Sequence, residues 1–578
     1  GDAFRMRVLL ASVGAMAGLS LHLLIEVMAQ DMLPDRAALG LGVFGAVFFG
    51  AFLAMAGPLA AGRAALGAVG VALAVTALLS WAALRHPQVT GLFQTPFPAL
   101  AAAALSFLPL PFWMAAQGPR GWRDDEVLFT QSWTIVVRYG AAWLFAGLVW
   151  AMLLLSGALL SLVGLDLIDA LVDVAPVPFV LTGAALGLGL AVVTEMAEVV
   201  SPYLILRLMR LMVPPVLAAV ALFLVALPLH GMAPLLGGLS VAATLLAIVA
   251  AAVTLVSTAV DATDSEAVQS PVLRAATRAL AALVAPPAVL AGWAIWLRVA
   301  DAGWTPARVA AAAVAAVALG YGLVYLRALL AGPDWMARIR SGNRGMALAI
   351  LALAGLSLTP ALDAEAISAR SQLARFDAGA VDAANLDLAA LSRWGHAGAA
   401  ALAALEARAT QPGQAALAAR LEDRAGWLLP QQAEPEVLRA ELQARMPIRP
   451  ADAGAERDAI LAMMEEWELQ GWADSCRLRL PDGAPGCVLV VADFWPDTPG
   501  REAMFLGATP SGWLRQEAMI PAGDGAFLRA GVAASPTMPA TPDDAARLLG
   551  ALQAGDPVLD PVPRFQLRTP AGGLSIQP

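Results

Sequence analysis

Lysine is missing from this 578-residue chain, because all 36 basic residues are arginine. Without lysine there is neither an amine for Schiff-base catalysis nor the lysine of a nucleotide-binding P-loop. Histidine and cysteine are rare, and no His-x-x-x-His, Cys-x-x-Cys or Gly-x-Ser-x-Gly pattern occurs. We therefore predict no metal site, no cofactor and no catalytic residue. The pattern excludes ATP-driven transport by this chain alone, zinc hydrolases and the common serine hydrolases. The four histidines are His22, His86, His230 and His396.

Charge is also scarce, since 14% of residues are charged, 59% are hydrophobic and the mean hydropathy is +0.70. These values lie outside the range of soluble globular proteins. A hydrocarbon core about 30 Å thick requires roughly 20 apolar residues per helix. We therefore expect an all-α polytopic membrane domain of about eleven transmembrane helices. The expected spans are Val8–Ala29, Ala37–Gly57, Ala64–Leu84, Pro98–Ala116, Tyr139–Leu160, Val177–Thr194, Val213–Leu229, Leu235–Val256, Ala279–Leu297, Val309–Leu326 and Gly345–Leu362.

Arginines near the span ends predict the orientation, because positive residues stay on the cytoplasmic side of a membrane. With the N-terminus inside, fourteen arginines fall on inner segments, whereas Arg36, Arg85, Arg298 and Arg308 fall on outer segments. The apolar length of the first span favours an uncleaved anchor over a signal peptide. We expect a bacterial inner-membrane protein with a cytoplasmic N-terminus and a periplasmic tail.

The tail after residue 362 is polar and acidic. It holds 18 arginines and 28 acidic residues, a formal charge of −10, whereas residues 1–362 hold 18 arginines and 17 acidic residues, a formal charge of +1. An acidic tail argues against nucleic acid or anionic lipid as its partner. The expected partners are the lipid bilayer and a periplasmic or membrane protein.

The only two cysteines, Cys476 and Cys487, flank a turn-rich stretch between two strand-like runs. This arrangement predicts a β-hairpin with the cysteines facing each other. A disulfide between them would persist in an oxidising compartment such as the periplasm. The alternative is two buried thiols in a cytosolic domain.

Ionisable residues inside a span are costly and predict a functional site. His22 and Glu26 lie four residues apart on one face of the first span, where they predict either a proton or cation site or an interfacial polar pair. Asp31 and Asp35 lie in a short first outer loop, as the acidic residues of lipid-linked glycosyltransferases do. The acidic residues at 261–266 lack the spacing of a calcium loop and predict a solvated loop.

Glycine and proline mark helix contacts and breaks within the spans. Small-xxx-small spacing in the first and sixth spans lets helices approach closely. Prolines in the fourth and ninth spans predict kinks, with a cavity lined by freed carbonyls as the alternative. The residues concerned are Gly14, Gly18, Gly183 and Gly187, followed by Pro109, Pro111, Pro286 and Pro287.

Periodicity divides the tail into a helical region at 363–470 and a small α+β domain at 471–578, after the membrane domain at 1–362. Thr541 and Asp544 form a capping-box pattern that predicts a helix start. The expected helices are Ala397–Ala407, Ala415–Leu429, Pro435–Arg445 and Glu456–Leu469, and the expected later strands are Cys487–Phe494, Glu502–Leu506, Trp513–Met519 and Phe565–Arg568.

The boundary between spans and tail carries a recognisable motif. It comprises Tyr321-Gly-Leu-Val-Tyr, an arginine-rich loop before Gly345, Leu358-Thr-Pro, Ile367-Ser-Ala-Arg-Ser-Gln-Leu-Ala-Arg with Gly379, and Trp394-Gly-His. These residues resemble the bacterial multi-pass inner-membrane family catalogued as domain of unknown function 4153. The resemblance implies several spans and a periplasmic tail, and it carries no catalytic residue over to this chain.

Within the motif, Arg370, Gln372 and Arg375 belong to a juxtamembrane segment with interspersed apolar residues. Such a segment either lies on the outer membrane surface or forms the first helix of the tail.

Three function classes agree with these observations. The first is a membrane scaffold, assembly factor or sensor that acts through its periplasmic tail. A transporter or flippase is the alternative, and a lipid-linked glycosyltransferase is the third class. The absence of a catalytic pattern favours the first.

Overall fold

The protein folds into two compact units, Gly1–Arg424 and Ala425–Pro578. The first unit is built from α-helices, and the second combines helices with β-sheets. The residues described in this computed structural model are 2–30, 32–196, 202–230, 241–424, 435–494, 499–509, 514–522, 526–530, 541–555, 559, 566–569 and 572–575.

Long apolar helices make up most of the first unit. Short 3₁₀ turns at 89–94 and 360–362 connect some of them. The helices are α1 Asp2–Ala29, α2 Asp35–Met55, α3 Ala61–Ala83, α4 Phe97–Phe107, α5 Pro109–Ala116, α6 Asp125–Ser161, α7 Leu167–Val172, α8 Pro176–Glu195, α9 Pro202–Leu211, α10 Val213–His230, α11 Val241–Val260, α12 Pro271–Ala282, α13 Ala285–Ala302, α14 Pro306–Leu330, α15 Trp335–Ser357, α16 Ala364–Asp377, α17 Leu388–Arg393, α18 Gly395–Ala409 and α19 Ala415–Arg424.

Among the described residues, ten helical segments are long and apolar enough to cross a membrane. Helix α15 and the following segment Pro360–Asp377 qualify only as a pair that bends by 94°, which gives up to eleven spans. The predicted multi-pass helical architecture is thereby confirmed. The fourth span combines α4 with α5, and the ninth combines α12 with α13.

The spans form two halves, each with its own buried core. One core joins α1, α2, α3, α5, α6 and α8, and the other joins helices α10 to α15. A smaller apolar cluster that includes Leu79, Leu92 and Leu358 connects α3 and α4 with the end of α15. The end of α15 therefore lies at the seam between the two halves.

Large apolar side chains cover the outside of the helices instead of being confined to the core. On α6, for example, Leu144 is 69% exposed and Leu155 is 64% exposed. Exposed apolar area of this extent marks a surface that faces lipid.

The closest helix contact joins α1 to α8 through the small-xxx-small residues of both helices. A Cβ atom on Gly14 would lie 2.8 Å from the carbonyl carbon of Gly183, and one on Gly187 would lie 2.7 Å from that of Leu10. Only hydrogen fits at these positions. At one end of the pair, the Arg7 Nε atom donates to the Glu195 carboxylate at 2.9 Å.

The second unit contains a five-stranded sheet in the order β1-β2-β3-β4-β5, in which β1 pairs parallel to β2 and the other pairs are antiparallel. Helices cover both faces, which explains why β2 is buried almost throughout. The elements are α20 Pro435–Arg445, β1 Ile448–Arg449, α21 Gly454–Met463, α22 Glu466–Arg477, β2 Cys487–Ala492, β3 Glu502–Ala508, β4 Leu514–Pro521, β5 Phe527–Ala530, α23 Pro542–Ala554, β6 Gln566–Thr569 and β7 Gly572–Ser575.

Helix α22 packs on one face of this sheet. The Trp472 ring stacks on Phe505 with 3.9 Å between the ring centroids, and the Trp472 Nε1 atom donates to the Glu517 carboxylate at 3.0 Å. Helix α23 packs through Leu549 and neighbouring apolar residues against the other face. The Thr541 hydroxyl accepts from the Asp544 amide at 3.2 Å, so the predicted helix start is confirmed.

A disulfide joins Cys476 to Cys487, with 4.7 Å between the Cα atoms. The predicted cysteine hairpin is nevertheless wrong, because Cys476 lies in the last turn of α22 and only Cys487 lies in a strand. The physical reason is a capping box formed by Glu465 and Glu468, which starts a helix. Residues 469, 472, 473 and 476 then form one apolar stripe at helical spacing. The disulfide therefore links a helix end to a sheet.

Candidate functional site: a cavity at the junction of the spans and α16

The candidate site lies at the end of the bundle where α3, α13 and α15 end and where α4 and α14 begin. We call this the junction end. There the chain turns sharply after Ser357 and continues into α16. The Asp363 carboxylate accepts from the amides of Glu365 at 3.0 Å and Ala366 at 3.1 Å, so Asp363 is the N-cap of α16.

Arg85 follows α3 directly and binds the end of α15. Its guanidinium donates to the carbonyl oxygens of Ser357 at 3.0 Å and Thr359 at 2.7 Å. Its Nε atom lies 3.4 Å from the Asp363 carboxylate. Because the last carbonyls of a helix have no partner within that helix, a cation here is favourable. Arg85 thus connects the first half of the bundle, the end of α15 and the cap of α16.

His86 forms a second link to α16. The residue is 4% exposed, and its Nε2 atom lies 3.2 Å from Glu365 Oε2. The ring packs tightly against Gly91, where a Cβ atom would lie 2.6 Å from His86 Nδ1. A carboxylate is therefore held beside a buried imidazole.

A cavity of about 350 Å³ opens next to the Arg85–Asp363 ion pair and the His86–Glu365 contact. This junction cavity has Arg85, His86 and Glu365 at its polar end. Both halves of the bundle and α16 contribute to its apolar walls. The apolar wall residues include Leu92, Phe97, Trp304, Val309, Ala310, Ala313, Leu353, Leu358, Leu362 and Ile367. Mostly apolar walls with a few convergent polar groups are typical of small-molecule sites.

Helix α16 is held over the junction end by the C-terminus of α13. The Gln372 side chain donates to the carbonyls of Ala302 at 3.1 Å and Trp304 at 3.0 Å, and Arg375 donates to that of Ala300 at 3.2 Å. Gly303 fits between these side chains with a φ of 73°, which favours glycine.

Of the three motif residues predicted in this segment, Gln372 and Arg375 thus contact α13, whereas Arg370 is exposed. The Nε atom of Arg370 donates at 3.1 Å to Ala366, within α16 itself.

The residues that line the polar end of the cavity were missing from the sequence predictions. In the sequence, Arg85 contributes only to the orientation count, and His86, Asp363 and Glu365 belong to no motif. The sequence does contain one indication of this site. Arg85-His86 and Asp363-x-Glu365 each follow a predicted span directly, and the predicted topology puts the ends of both spans on the same side of the membrane. Residues of opposite charge at the same-side ends of two spans indicate an ion pair that links those spans.

At the opposite end of the bundle, the acidic loop at 261–266 is only partly the solvated loop that its composition predicted, because Asp264 is exposed and Asp261 is buried. Asp261 is 1% exposed and forms an ion pair with Arg210, and Asp264 forms one with Arg340. The Arg210 Nε atom also donates to the Thr258 carbonyl at 3.0 Å. The loop is therefore tied to α9 and α15.

The motif residue Tyr325 forms a polar triangle near that end with Ser257 and Asn343. The Tyr325 hydroxyl donates to the Asn343 side-chain oxygen at 3.0 Å, and the Asn343 amide donates to the Ser257 hydroxyl at 3.0 Å. Gly322 allows α14 to approach the break between α12 and α13, since its Cβ atom would lie 2.9 Å from the Ala285 Cα atom. These contacts give Gly322 and Tyr325 of the motif a packing role.

The other predicted intramembrane residues lie apart from the junction cavity. Glu26 is exposed and accepts from Gln30 at 2.7 Å, while the His22 ring lies 5.4 Å from that of Phe179. Pro109 and Pro111 lie in the first turn of α5, and Pro286 and Pro287 lie in the first turn of α13. None of these six residues lines the junction cavity.

The acidic residues of the first predicted outer loop do not form a described site. Asp31 lies outside the described residues, and Asp35 is the first residue of α2. Within the described part of the chain, no group of three or more histidine, cysteine or acidic residues is arranged to hold a metal ion.

Comparison of the chain with protein-family models, with curated proteins and with solved structures gives no match. The resemblance of residues 321–402 to the family named above stays a prediction.

Proposed function

We propose that this protein is a non-catalytic sensor in a bacterial inner membrane, that its ligand occupies the junction cavity, and that α16 relays occupancy to the periplasmic tail. The observation that carries the proposal is the shared construction of the cavity. Its walls come from both halves of the bundle and from α16. A ligand there contacts the membrane part and the first segment after the last span at the same time.

The coupling follows from differential binding. A ligand shifts a conformational equilibrium only if it binds one arrangement more tightly than the other. Helix α16 is held by side-chain bonds to carbonyls of α13 and by the contacts of Arg85 with Asp363 and of His86 with Glu365. A ligand that contacts α16 and the spans together stabilises the docked arrangement. We infer that the docked and undocked positions of α16 are the two signalling states.

The proposed compartment rests on the arginine distribution and on the disulfide. Fourteen arginines fall on segments at one predicted side and four on the other, which supports a cytoplasmic N-terminus. The disulfide Cys476–Cys487 supports an oxidising compartment for the second unit. The arginine distribution and the disulfide both favour a periplasmic location for the junction end of the bundle. The transporter alternative gains no comparable support from the junction cavity, because His22, Glu26 and the four prolines are not among its lining residues.

The test is to fill the cavity. Ala313 on α14 lines it, and Ala313→Trp would occupy much of its volume. Ala316 on the same helix is exposed, so Ala316→Trp adds the same side chain to the lipid-facing surface. The full chain would be purified from native membranes in lipid nanodiscs. Native mass spectrometry would report bound amphiphiles, and hydrogen exchange would report the protection of residues 364–377.

We expect the wild type and Ala316→Trp to retain a bound amphiphile and to lose α16 protection when it is stripped away. Ala313→Trp should retain none, and its α16 exchange should not respond to stripping. If all three proteins show the same bound mass and the same α16 exchange, the proposed function is wrong.

A further inference from the structure

We infer that the junction cavity selects an amphiphile whose head group donates hydrogen bonds, either an ammonium or a hydroxyl group. This inference rests on the proposed function and adds the chemical class of the ligand. It follows from three features of the cavity: its charge balance, an acceptor atom without a donor, and its volume.

The polar end of the cavity offers no unengaged arginine. Arg85 is the only arginine among the described lining residues, and its guanidinium is already engaged by the Ser357 and Thr359 carbonyls and by the Asp363 carboxylate. The other charged residue on the described lining is Glu365, whose carboxylate lies beside His86. An anionic head group would therefore meet an arginine that is already engaged and the Glu365 carboxylate.

The Glu365 carboxylate has spare acceptor capacity. Its Oε2 atom is buried and accepts no hydrogen bond within the described part of the chain, although His86 Nε2 lies 3.2 Å away. A buried acceptor without a donor is unfavourable, and a ligand N–H or O–H group directed at it removes that penalty. Glu365 lines the cavity, so such a group can approach from inside it.

The size of the cavity limits the ligand. Its volume is about 350 Å³. A water-sized group takes roughly 30 Å³, so the cavity holds on the order of ten non-hydrogen atoms. The walls beyond the polar end are apolar. This space fits a head group with a short alkyl chain, or the head group and first chain atoms of a membrane lipid whose remainder lies in the bilayer.

The experiment compares four eight-carbon probes on the full-length wild type in nanodiscs made of phosphatidylcholine. Octylammonium carries charge and N–H donors, octyltrimethylammonium carries the same charge without donors, octanol donates without charge, and octanoate is anionic. Binding is measured by the protection of residues 364–377 against hydrogen exchange as a function of probe concentration. We expect octylammonium and octanol to bind at least tenfold more tightly than octyltrimethylammonium and octanoate.

A substitution of Glu365, the proposed acceptor, provides an independent test. Glu365→Gln keeps an acceptor oxygen but removes the negative charge. It should therefore weaken the binding of octylammonium at least tenfold and change the affinity for octanol less than threefold. Asp382→Asn, at an exposed acidic residue outside the cavity, is the matched control and should change neither. The four-probe comparison on the wild type does not depend on whether Glu365→Gln folds.

The source of the ligand is tested by changing the lipid. Selective retention of phosphatidylethanolamine over phosphatidylcholine by the wild type, and its loss in Ala313→Trp, would identify a membrane lipid. Displacement by free octylammonium without any lipid selectivity would identify a free amphiphile.

Equal or tighter binding of octanoate, or of octyltrimethylammonium, would overturn the proposed ligand class while leaving the sensor proposal intact. Failure of all four probes to protect α16 in the wild type, together with no retained lipid, would overturn the proposed function itself.

Discussion

Replacing Arg375 with alanine tests whether the C-terminus of α13 holds α16 in place. The Arg375 guanidinium donates to the carbonyls of Ala300 and Asp301 in the last turn of α13. A hydrogen bond that involves a charged group contributes about 1.5–3 kcal/mol. Because this side chain is partly exposed, we count the two bonds as one. The substitution should therefore lower the free energy of α16 undocking by about 1.5–3 kcal/mol.

The assay is hydrogen exchange of the α16 amides in the full chain. Each 1.4 kcal/mol corresponds to a factor of ten in an equilibrium constant, so exchange through undocking should become about 10- to 150-fold faster. Amides of α14 and α15 should keep their wild-type rates, because the substitution acts on the docking of α16 and leaves the spans intact.

The matched control is Arg370→Ala in the same helix. Both substitutions remove one arginine and add one alanine, so net charge and helix propensity change equally. Arg370 is exposed, and its Nε atom donates within α16 to Ala366. We expect less than a threefold change in exchange. Equal acceleration by the two substitutions, or none with Arg375→Ala, would refute the argument that the α13 carbonyls hold α16.

Four further predictions concern other parts of the chain. Gly14→Ala should destabilise the first unit by about 1–3 kcal/mol through overpacking against α8, whereas Gly45→Ala, where no atom lies within 4 Å, should not lower its thermal midpoint in detergent. Tyr325→Phe should cost about 0.6–1.7 kcal/mol, the range for side-chain hydrogen bonds between membrane helices, and unchanged unfolding would contradict the polar triangle. Replacing Cys476 and Cys487 with alanine should lower the free energy of unfolding of the second unit by about 3 kcal/mol, because the disulfide restricts the unfolded chain by closing a loop. Urea unfolding followed by tryptophan fluorescence measures this. The Thr541 hydroxyl lowers the pKa of Asp544 below its usual 3.8, so its stabilisation of α23 is complete above pH 3.8 and is lost as the pH falls through the lowered pKa; exchange of α23 should then accelerate, and not in a chain that carries Asp544→Asn.

Features that depend on local sequence could be predicted closely. The bounds Pro435–Arg445 of α20 match the structure, because a proline at the first position and an arginine in the last turn mark the ends of that helix. Span number followed from apolar length alone. The start of α23 followed from Thr541, whose side chain is a sufficient cap.

Features that depend on tertiary contacts could not be predicted. One local feature was also missed, because the capping box at Glu465 starts a helix that extends through Cys476 and overrides the short strand-like alternation there. Asp261 looked solvated because its partner Arg210 precedes it by a whole span. The junction cavity brings together Arg85 and Glu365, which are separated by 280 positions, and periodicity carries no information about such pairs.

The contact between α1 and α8 has a consequence for how the protein is made. The glycine face of the first helix fits a helix that ends at Glu195, so about 166 residues must be synthesised after Ala29 before that face finds its partner. At roughly 5–20 residues per second, this takes on the order of 10–30 seconds. During that time the glycine face of the nascent first helix has no α8 to pack against. We expect the insertion machinery to shelter that face until translation of the sixth span is complete.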